Sequence, residues 1–419
     1  MNAPRAPLMP LDEALTRLLA QIQPLIRTER VATFDADGRV LAEDVVSALQ
    51  VPAFDNSSMD GYAVCTADLT QPGIVLRVTQ RIPAGHMGQP LGRGEAARIF
   101  TGAPVPPGAD AVVMQEDTET LEPAGELVQV RVQISPQPGQ WIRRSGEDVQ
   151  KGATVLRAGT RLSPAELGLA ASLGLSHLTV TARPRVALFS TGDELVMPGD
   201  VVPEAMPPGA IYNSNRFFLK ALLHRMGCEV SDLGIVPDQR EATVAALKTA
   251  ADHHELILTS GGVSVGEEDH VKPAVQQLGQ LDLWQISMKP GKPFAYGQVR
   301  RSSQSGHAHF VGLPGNPVSS FVTFLLMVRP LLLQLQGAEP RPIRPWRLPA
   351  HFDLPKGDKR REFLRARRNG EGGLELFPNQ SSGVLTSVVW GEGVVDNPAG
   401  RSIARGDLVD FIPFSDWLA

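Results

Sequence analysis

The sequence predicts a multidomain protein of the α/β-plus-β class, with an open parallel α/β sheet between a small β-rich domain and a second β-like region. Three observations predict it. From about Arg183 to Leu335, short apolar runs alternate with stretches of helical periodicity, the pattern of parallel strands joined by crossover helices. From about residue 31 to 160 the apolar runs are short and punctuated by Gly and Pro, and a β-like character returns from about Pro340. A chain of 419 residues is long enough for about three domains.

Composition narrows the class of protein. Hydrophobic residues make up 42% and charged residues 20%, which gives an ordinary globular chain ample core. The formal net charge of −5 argues against a general nucleic-acid binder. Cys65 and Cys228 form neither a disulfide framework nor a zinc pattern, so free thiols in a reducing, cytoplasmic compartment are expected. The N-terminus lacks an apolar signal core. The most apolar segment, Phe321 to Leu335, is interrupted by Arg329-Pro330 and is too short to cross a bilayer, so no membrane span is expected.

In chain order, Leu11, Ala14, Leu15, Leu18, Leu19 and Ile22 recur at helical spacing and predict one amphipathic helix. Val128, Val130, Val132 and Ile134 alternate with polar residues, the period of a half-buried strand. Three stretches of this β-rich part carry unusual polar groups. Asp55-Asn56-Ser57-Ser58-Met59-Asp60-Gly61-Tyr62-Ala63 crowds them between apolar flanks. The proline-stiffened loop Thr101 to Asp110 can fix one hydroxyl, and Ser145-Gly146-Glu147-Asp148 adds an acidic turn. Each also reads as an ordinary turn closed by its own side chains. Ser163-Pro164-Ala165-Glu166 is a capping box with Pro at the first helical position, and Gly174 suits the end of that helix.

The next region predicts strands at Val186 to Ser190 and Glu229 to Val236, with helices at Asn215 to Met226 and Gln239 to Asp252. Leu256 to Ser260 follows as a buried strand opening into Gly261-Gly262, where missing Cβ atoms let main-chain N–H groups approach an anion. A helix near Val271 to Leu278, strands near Phe294 and Phe310, and a long apolar helix from Pro317 complete the set. Glu194, Asp238 and Asp269 each follow a predicted strand, and ligands of such sheets bind beyond the strand ends. Carboxylates repel a phosphate unless a cation stands between them, so a divalent metal belongs to the functional reading. A solvated acidic turn is the plain alternative. Met288-Lys289-Pro290-Gly291-Lys292-Pro293 can present two fixed cations to an oxyanion, or be an exposed basic turn. Gly315-Asn316-Pro317-Val318-Ser319 offers N–H groups and hydroxyls at a helix start, or only a well-capped helix. The basic run Lys359 to Arg368 reads as one charged strand face, and His270 is given no role.

Taken together, these stretches resemble the molybdopterin molybdenumtransferases, the molybdenum-inserting family that includes the E domain of gephyrin. The resemblance runs through Asp55 to Ala63, Thr101 to Pro106, Gly146 to Asp148, Thr191 to Leu195, Thr259 to Gly266, Met288 to Pro293 and Gly315 to Ser319, in that order. It implies a helical linker region (1–50 and 149–182), a β-rich insertion (51–148), a molybdopterin-binding α/β domain (183–335) and a C-terminal β domain (336–419). It also implies a reaction in which adenylylated molybdopterin and molybdate give molybdenum cofactor and AMP with Mg²⁺. Asp60, Thr101, Asp148 and Glu194 match active-site positions, and Asp238 and Asp269 match the metal-binding acids. Lys289, Lys292, Pro293, Ser319, Arg361 and Ser382 match positions around the molybdate, with Ser260, Gly261, Gly262 and Asn316 on the substrate. A homodimer is implied, and the molybdopterin adenylyltransferase and molybdoenzyme maturation proteins are further candidate partners. Two other functions are weighed. A molybdopterin adenylyltransferase lacks the Asp55-to-Ala63 stretch and both β-rich regions. A non-catalytic scaffold would be expected to have lost several of the acids or lysines, and none is missing.

Overall fold

The computed structural model describes residues 8–124, 127–262, 270–303 and 305–418. The first helix, α1 (Leu11–Leu19), follows Pro10 and buries Leu11, Ala14 and Leu18, as its periodicity predicts. Its apolar stripe enters the core of the central sheet.

The chain then builds a separate core from residues 31–51 and 149–180. Thr28–Ala32 pairs antiparallel with His177–Thr181, and α2 (Pro164–Ser172) begins with the predicted capping box on Ser163 and Glu166. Between these halves lies a six-stranded sheet in the order Ala111–Met114, Gly61–Val64, Glu95–Ile99, Ile74–Ile82, Leu127–Val132, Thr118–Ala124. Its two cores use residues from 62 to 142 alone. Val130 and Val132 point into them, while Val128 stays 40% exposed. Gly61 is obligatory here, because a Cβ would overlap the carbonyl of Val113 on the neighbouring strand. The chain enters and leaves this sheet at one place, where Val51 N donates to Val149 O (2.7 Å) and Val149 N donates to Val51 O (3.1 Å).

The central sheet comprises β1 (Arg185–Thr191), β2 (Glu229–Val236), β3 (Leu256–Ser260), β4 (Gly279–Gln285), β5 (Pro293–Arg300) and β6 (His307–Leu313), in the order β2-β1-β3-β6-β5-β4. The helices α3 (Ser214–Arg225), α4 (Arg240–His253) and α5 (Val271–Leu278) lie between strands in the chain. The four strands β2, β1, β3 and β6 are parallel, whereas β5 runs antiparallel to both neighbours. The sheet therefore has the expected parallel α/β centre, with one reversed strand near its edge. No crossover helix lies between β4 and β5 or between β5 and β6, and short connections force antiparallel pairing.

The expected break at Arg329-Pro330 is absent: α6 (Pro317–Leu335) continues through it. A π turn over Phe324–Val328 precedes Pro330, where the missing N–H would otherwise interrupt the helical ladder. This helix is apolar and long enough to cross a membrane by composition and length, but 72% of its apolar window is buried within the protein.

The last region is a six-stranded sheet in the order Met288–Lys289, β7 (Arg361–Arg368), β8 (Gly393–Asn397), Leu408–Pro413, Trp346–Pro349, with Leu374–Leu376 beside β7. The basic run is not one solvated face, because β7 is covered on both sides. Glu362 is 3% exposed and Arg365 is 1% exposed.

One buried group gives the sheet a measurable acid sensitivity. His309 on β6 contacts the Tyr296 hydroxyl through Nδ1 at 2.9 Å. Burial, then the nearby His307 and Arg301, push its pKa down to about 4 from the usual 6.5. Between these values the unfolded chain binds the proton and the folded one does not. Stability is thus expected to decline as pH falls through the window, by roughly 2–3 kcal/mol for this group. Urea unfolding at pH 7 and pH 4.5 would measure it. His309→Asn should flatten the slope, and an unchanged slope would refute the assignment.

Candidate functional site

Because β1, β3 and β6 run parallel, their carboxyl ends open side by side. Gly261 N donates to Leu313 O at 3.1 Å, stitching the di-glycine turn to the end of β6. Both glycines have positive φ, 90° at Gly261 and 66° at Gly262. A Cβ on Gly261 would lie 2.9 Å from Thr191 O, and one on Gly262 would lie 2.5 Å from Val271 Cγ2 and 2.9 Å from Thr191 Oγ1. The turn therefore offers backbone and no side-chain wall. Ser260 is buried beside it. The hydroxyls of Ser190 and Thr259 are buried and have no hydrogen-bond partner among the described residues. Gly262→Ala is expected to destabilise the protein by about 1–3 kcal/mol and to weaken ligand binding at the turn. Thermal melting and a binding titration would check both effects.

Two of the acids stand at the same edge. Asp238 follows β2 and is half-buried, and the exposed Glu194 folds its carboxylate back over Gly192. Asp269 lies outside the described residues, as do all acidic positions of that loop. Among the described residues no group of three His, Cys, Asp or Glu side chains is gathered to hold a metal. Asp238 and the buried hydroxyls are all oxygen donors. They suit a hard cation that takes its other ligands from phosphate and water.

A second cluster forms at the start of α6. Asn316 precedes the helix in extended conformation, and Pro317 occupies its first turn. Asn215 Nδ2 donates to Gly315 O at 2.7 Å, and the Ser320 hydroxyl donates to Pro314 O, so the entry turn is held from both sides. Val318 N donates to Ser382 O at 3.0 Å, which brings Ser382 of the C-terminal sheet region to the helix start. Ser319 is 5% exposed. Gly291 packs against Ser319 and Thr323, so the Lys289-to-Pro293 loop lies on the same turn. The two lysines differ. Lys289 Nζ is 3.1 Å from Glu362 and 3.3 Å from Asp358, whereas Lys292 has no side-chain partner among the described residues.

The backbone of Arg361 pairs with Met288 beside the lysine loop, but its side chain turns into another cleft. Its guanidinium is 2.6 Å from Asp396 and 3.1 Å from Asp12, and the bonds to Asp396 foremost raise its pKa. The cation beside Ser382 is Arg365, which donates to Ser381 O (3.3 Å), Phe363 O (3.1 Å) and Ser387 Oγ (3.1 Å). It has no carboxylate partner among the described residues, and burial pushes its pKa down to about 10. Sequence reasoning passed over it among many arginines. The usable signal was its place in Phe363-Leu364-Arg365-Ala366, where apolar neighbours imply burial.

The insertion holds the remaining positions. Asp60 accepts from Thr101 N at 2.8 Å and Thr101 Oγ1 at 2.9 Å, and these bonds hold its carboxyl below the usual range. Both residues are exposed. Asp148 is exposed on another turn, tied by its N–H to Val51 O at 3.0 Å. Among the described residues, no hydrogen bond or ion pair links Asp60, Thr101 or Asp148 to the lysine loop or to α6.

Comparison with known proteins places the whole chain. Residues 9–174 match the MoeA N-terminal region (domain I and II), residues 187–334 a probable molybdopterin binding domain, and residues 347–414 the MoeA C-terminal region (domain IV). The molybdopterin molybdenumtransferase of Haemophilus influenzae is 39% identical, over 98% of this chain and 100% of its own length. Molybdopterin molybdenumtransferase 2 of Mycobacterium tuberculosis is 38% identical, over 91% of this chain and 94% of its own. The crystal structure of the molybdopterin biosynthesis MoeA protein from Pyrococcus horikoshii OT3 superposes with a TM-score of 0.83 at 29% identity, covering 97% of this chain and 100% of that one. With its α/β centre, β-rich flanks and end-to-end similarity, the chain belongs to the MoeA family of molybdopterin molybdenumtransferases.

Proposed function

We propose that this protein inserts molybdenum from molybdate into adenylylated molybdopterin, releasing AMP and molybdenum cofactor. The observation that carries this reading is the junction at α6, where Gly291 of the lysine loop packs on Ser319, Val318 N donates to Ser382 O and the buried Arg365 donates to Ser381 O, one strand away from a di-glycine turn. Such a junction can hold a tetrahedral dianion beside a phosphorylated substrate. Lys292 and Arg365 supply the positive charge, and the hydroxyls of Ser319 and Ser382 donate to oxygens. Lys289 positions the loop through Glu362 and Asp358. Gly261 and Gly262 let the pyrophosphate reach main-chain N–H groups, with Ser260 and Asn316 orienting it. Mg²⁺ held by Asp238 and Asp269 would polarise the phosphoanhydride.

In this reading Asp60, Thr101 and Asp148 reach the site from the insertion of a second subunit, which explains why they are exposed and unconnected to the lysine loop within one chain. The four-region division and a cytoplasmic location belong to the same proposal. The test incubates purified protein with adenylylated molybdopterin, Mg²⁺ and molybdate, and measures AMP. Molybdate-dependent release is expected, and release no greater than in the molybdate-free control would overturn the reading.

A further inference from the structure

At the opposite edge of the central sheet from the strand-end turns, a cavity of about 1070 Å³ opens among the linker core, the sheet and the C-terminal region. Its position follows from the chain path. Arg183 precedes β1, Arg225 ends α3 and Gly227 precedes β2, so all three lie at the amino ends of strands. Six arginines line it: Arg161, Arg183, Arg225, Arg329, Arg341 and Arg344. The lining carboxylates among the described residues are Asp37, Glu339 and Asp416, which leaves a formal excess of three positive charges in a chain whose net charge is −5.

Five of the six are not consumed by ion pairs. Among the described residues, none of Arg183, Arg225, Arg329, Arg341 and Arg344 lies in a salt bridge. Arg183 and Arg329 instead donate to main-chain carbonyls, Arg183 Nη1 to Gly227 O at 3.2 Å and Arg329 Nε to Trp417 O at 2.7 Å. Each such bond engages only part of a five-donor fork, leaving N–H groups for an incoming anion. Burial, and then the neighbouring charge of Arg161, hold the pKa of Arg329 below its usual value. An arginine kept charged under that strain is stabilised by a bound anion. The rest of the lining is mostly apolar, including Leu162, Leu333, Ile343 and Trp346, which is 44% exposed, with Ser163 and His224 as its other polar side chains. An arginine-lined cleft of this size with an apolar part to its lining has the dimensions of a small-molecule site, and it is not the open basic stripe that a nucleic acid requires.

We infer that this cavity binds a small organic molecule bearing at least two phosphate groups, at a site separate from the strand-end turns. Paired phosphates match several planar forks at once, and the organic portion covers the apolar part of the lining. The site joins three parts of the chain that also meet around α6.

The probe is inorganic pyrophosphate, titrated calorimetrically at fixed ionic strength without added metal. Because pyrophosphate also resembles the part of the proposed substrate held at the di-glycine turn, the titration uses Gly262→Ala protein alongside wild type. Binding to Gly262→Ala protein is expected to persist, and adding Arg341→Gln and Arg344→Gln is expected to weaken it about tenfold or more. Both arginines are exposed, so these changes leave the core intact, and an unchanged melting temperature checks this. ADP is expected to bind the same site more tightly than pyrophosphate. Absence of pyrophosphate binding to Gly262→Ala protein, or binding that the double arginine substitution does not alter, would overturn the inference. Neither outcome depends on AMP release.

Discussion

Mixing Asp60→Ala subunits with Asp238→Ala subunits is expected to return about a quarter of wild-type activity once they have exchanged, although each variant alone is inactive. Asp60 is fixed by Thr101 on the exposed surface of the insertion, and Asp238 sits at the carboxyl edge of the central sheet. If two subunits pair symmetrically and each site combines the insertion of one with the sheet of the other, a mixed dimer has one doubly damaged site and one intact site. Random pairing makes roughly half of all dimers mixed, which gives the quarter. Each variant alone should lose about 100-fold or more of its molybdate-dependent AMP release. Exchange confirmed by mass-labelled subunits, with no activity recovered, would reject the shared site.

The second large effect separates the two lysines. Lys292→Gln is expected to raise the molybdate concentration needed for half-maximal rate by about 10- to 100-fold, since it removes a cation that no carboxylate neutralises among the described residues. Lys289→Gln should raise it less and lower thermal stability instead. Glu362 is 3% exposed and would lose its cation, and a buried carboxylate left unpaired is costly. Initial rates across molybdate concentrations, with melting curves for both variants, would decide. Equal shifts in molybdate dependence would remove the distinction.

Much of this was legible in the chain because the signals are local. The alternation of β1 to β3 with α3 and α4, the Ser163 capping box and the di-glycine turn depend on residues within one or two turns of each other. What was not legible depends on partners distant in sequence. That β5 reverses follows from short connections, which periodicity does not reveal. Arg361 and Arg365 look alike in the sequence. Only Asp12 and Asp396, 349 and 35 positions away from Arg361, draw it to another cleft, while Ser381 and Ser387 hold Arg365 beside α6. Lys289 likewise looked as available as Lys292 until Glu362, 73 positions later, was found beside it. The π turn in α6 also gave no sign, since Arg329-Pro330 reads as a break and the compensation lies in the preceding turn.

The paired crossing at Val51 and Val149 makes the insertion a detachable module. Its two stems are already hydrogen-bonded, its cores use none of the residues outside it, and the core beneath the crossing is completed by residues 31–51 and 149–180. Joining Gln50 to Gln150 through a short turn would bridge a gap that neighbouring strands already span at ~5 Å, with little loop-closure entropy. The same two-stem attachment is a narrow neck with few side chains across it. Reorientation of the whole module would rearrange this neck without disturbing either flanking core, so its orientation can be adjusted independently of the fold that carries it.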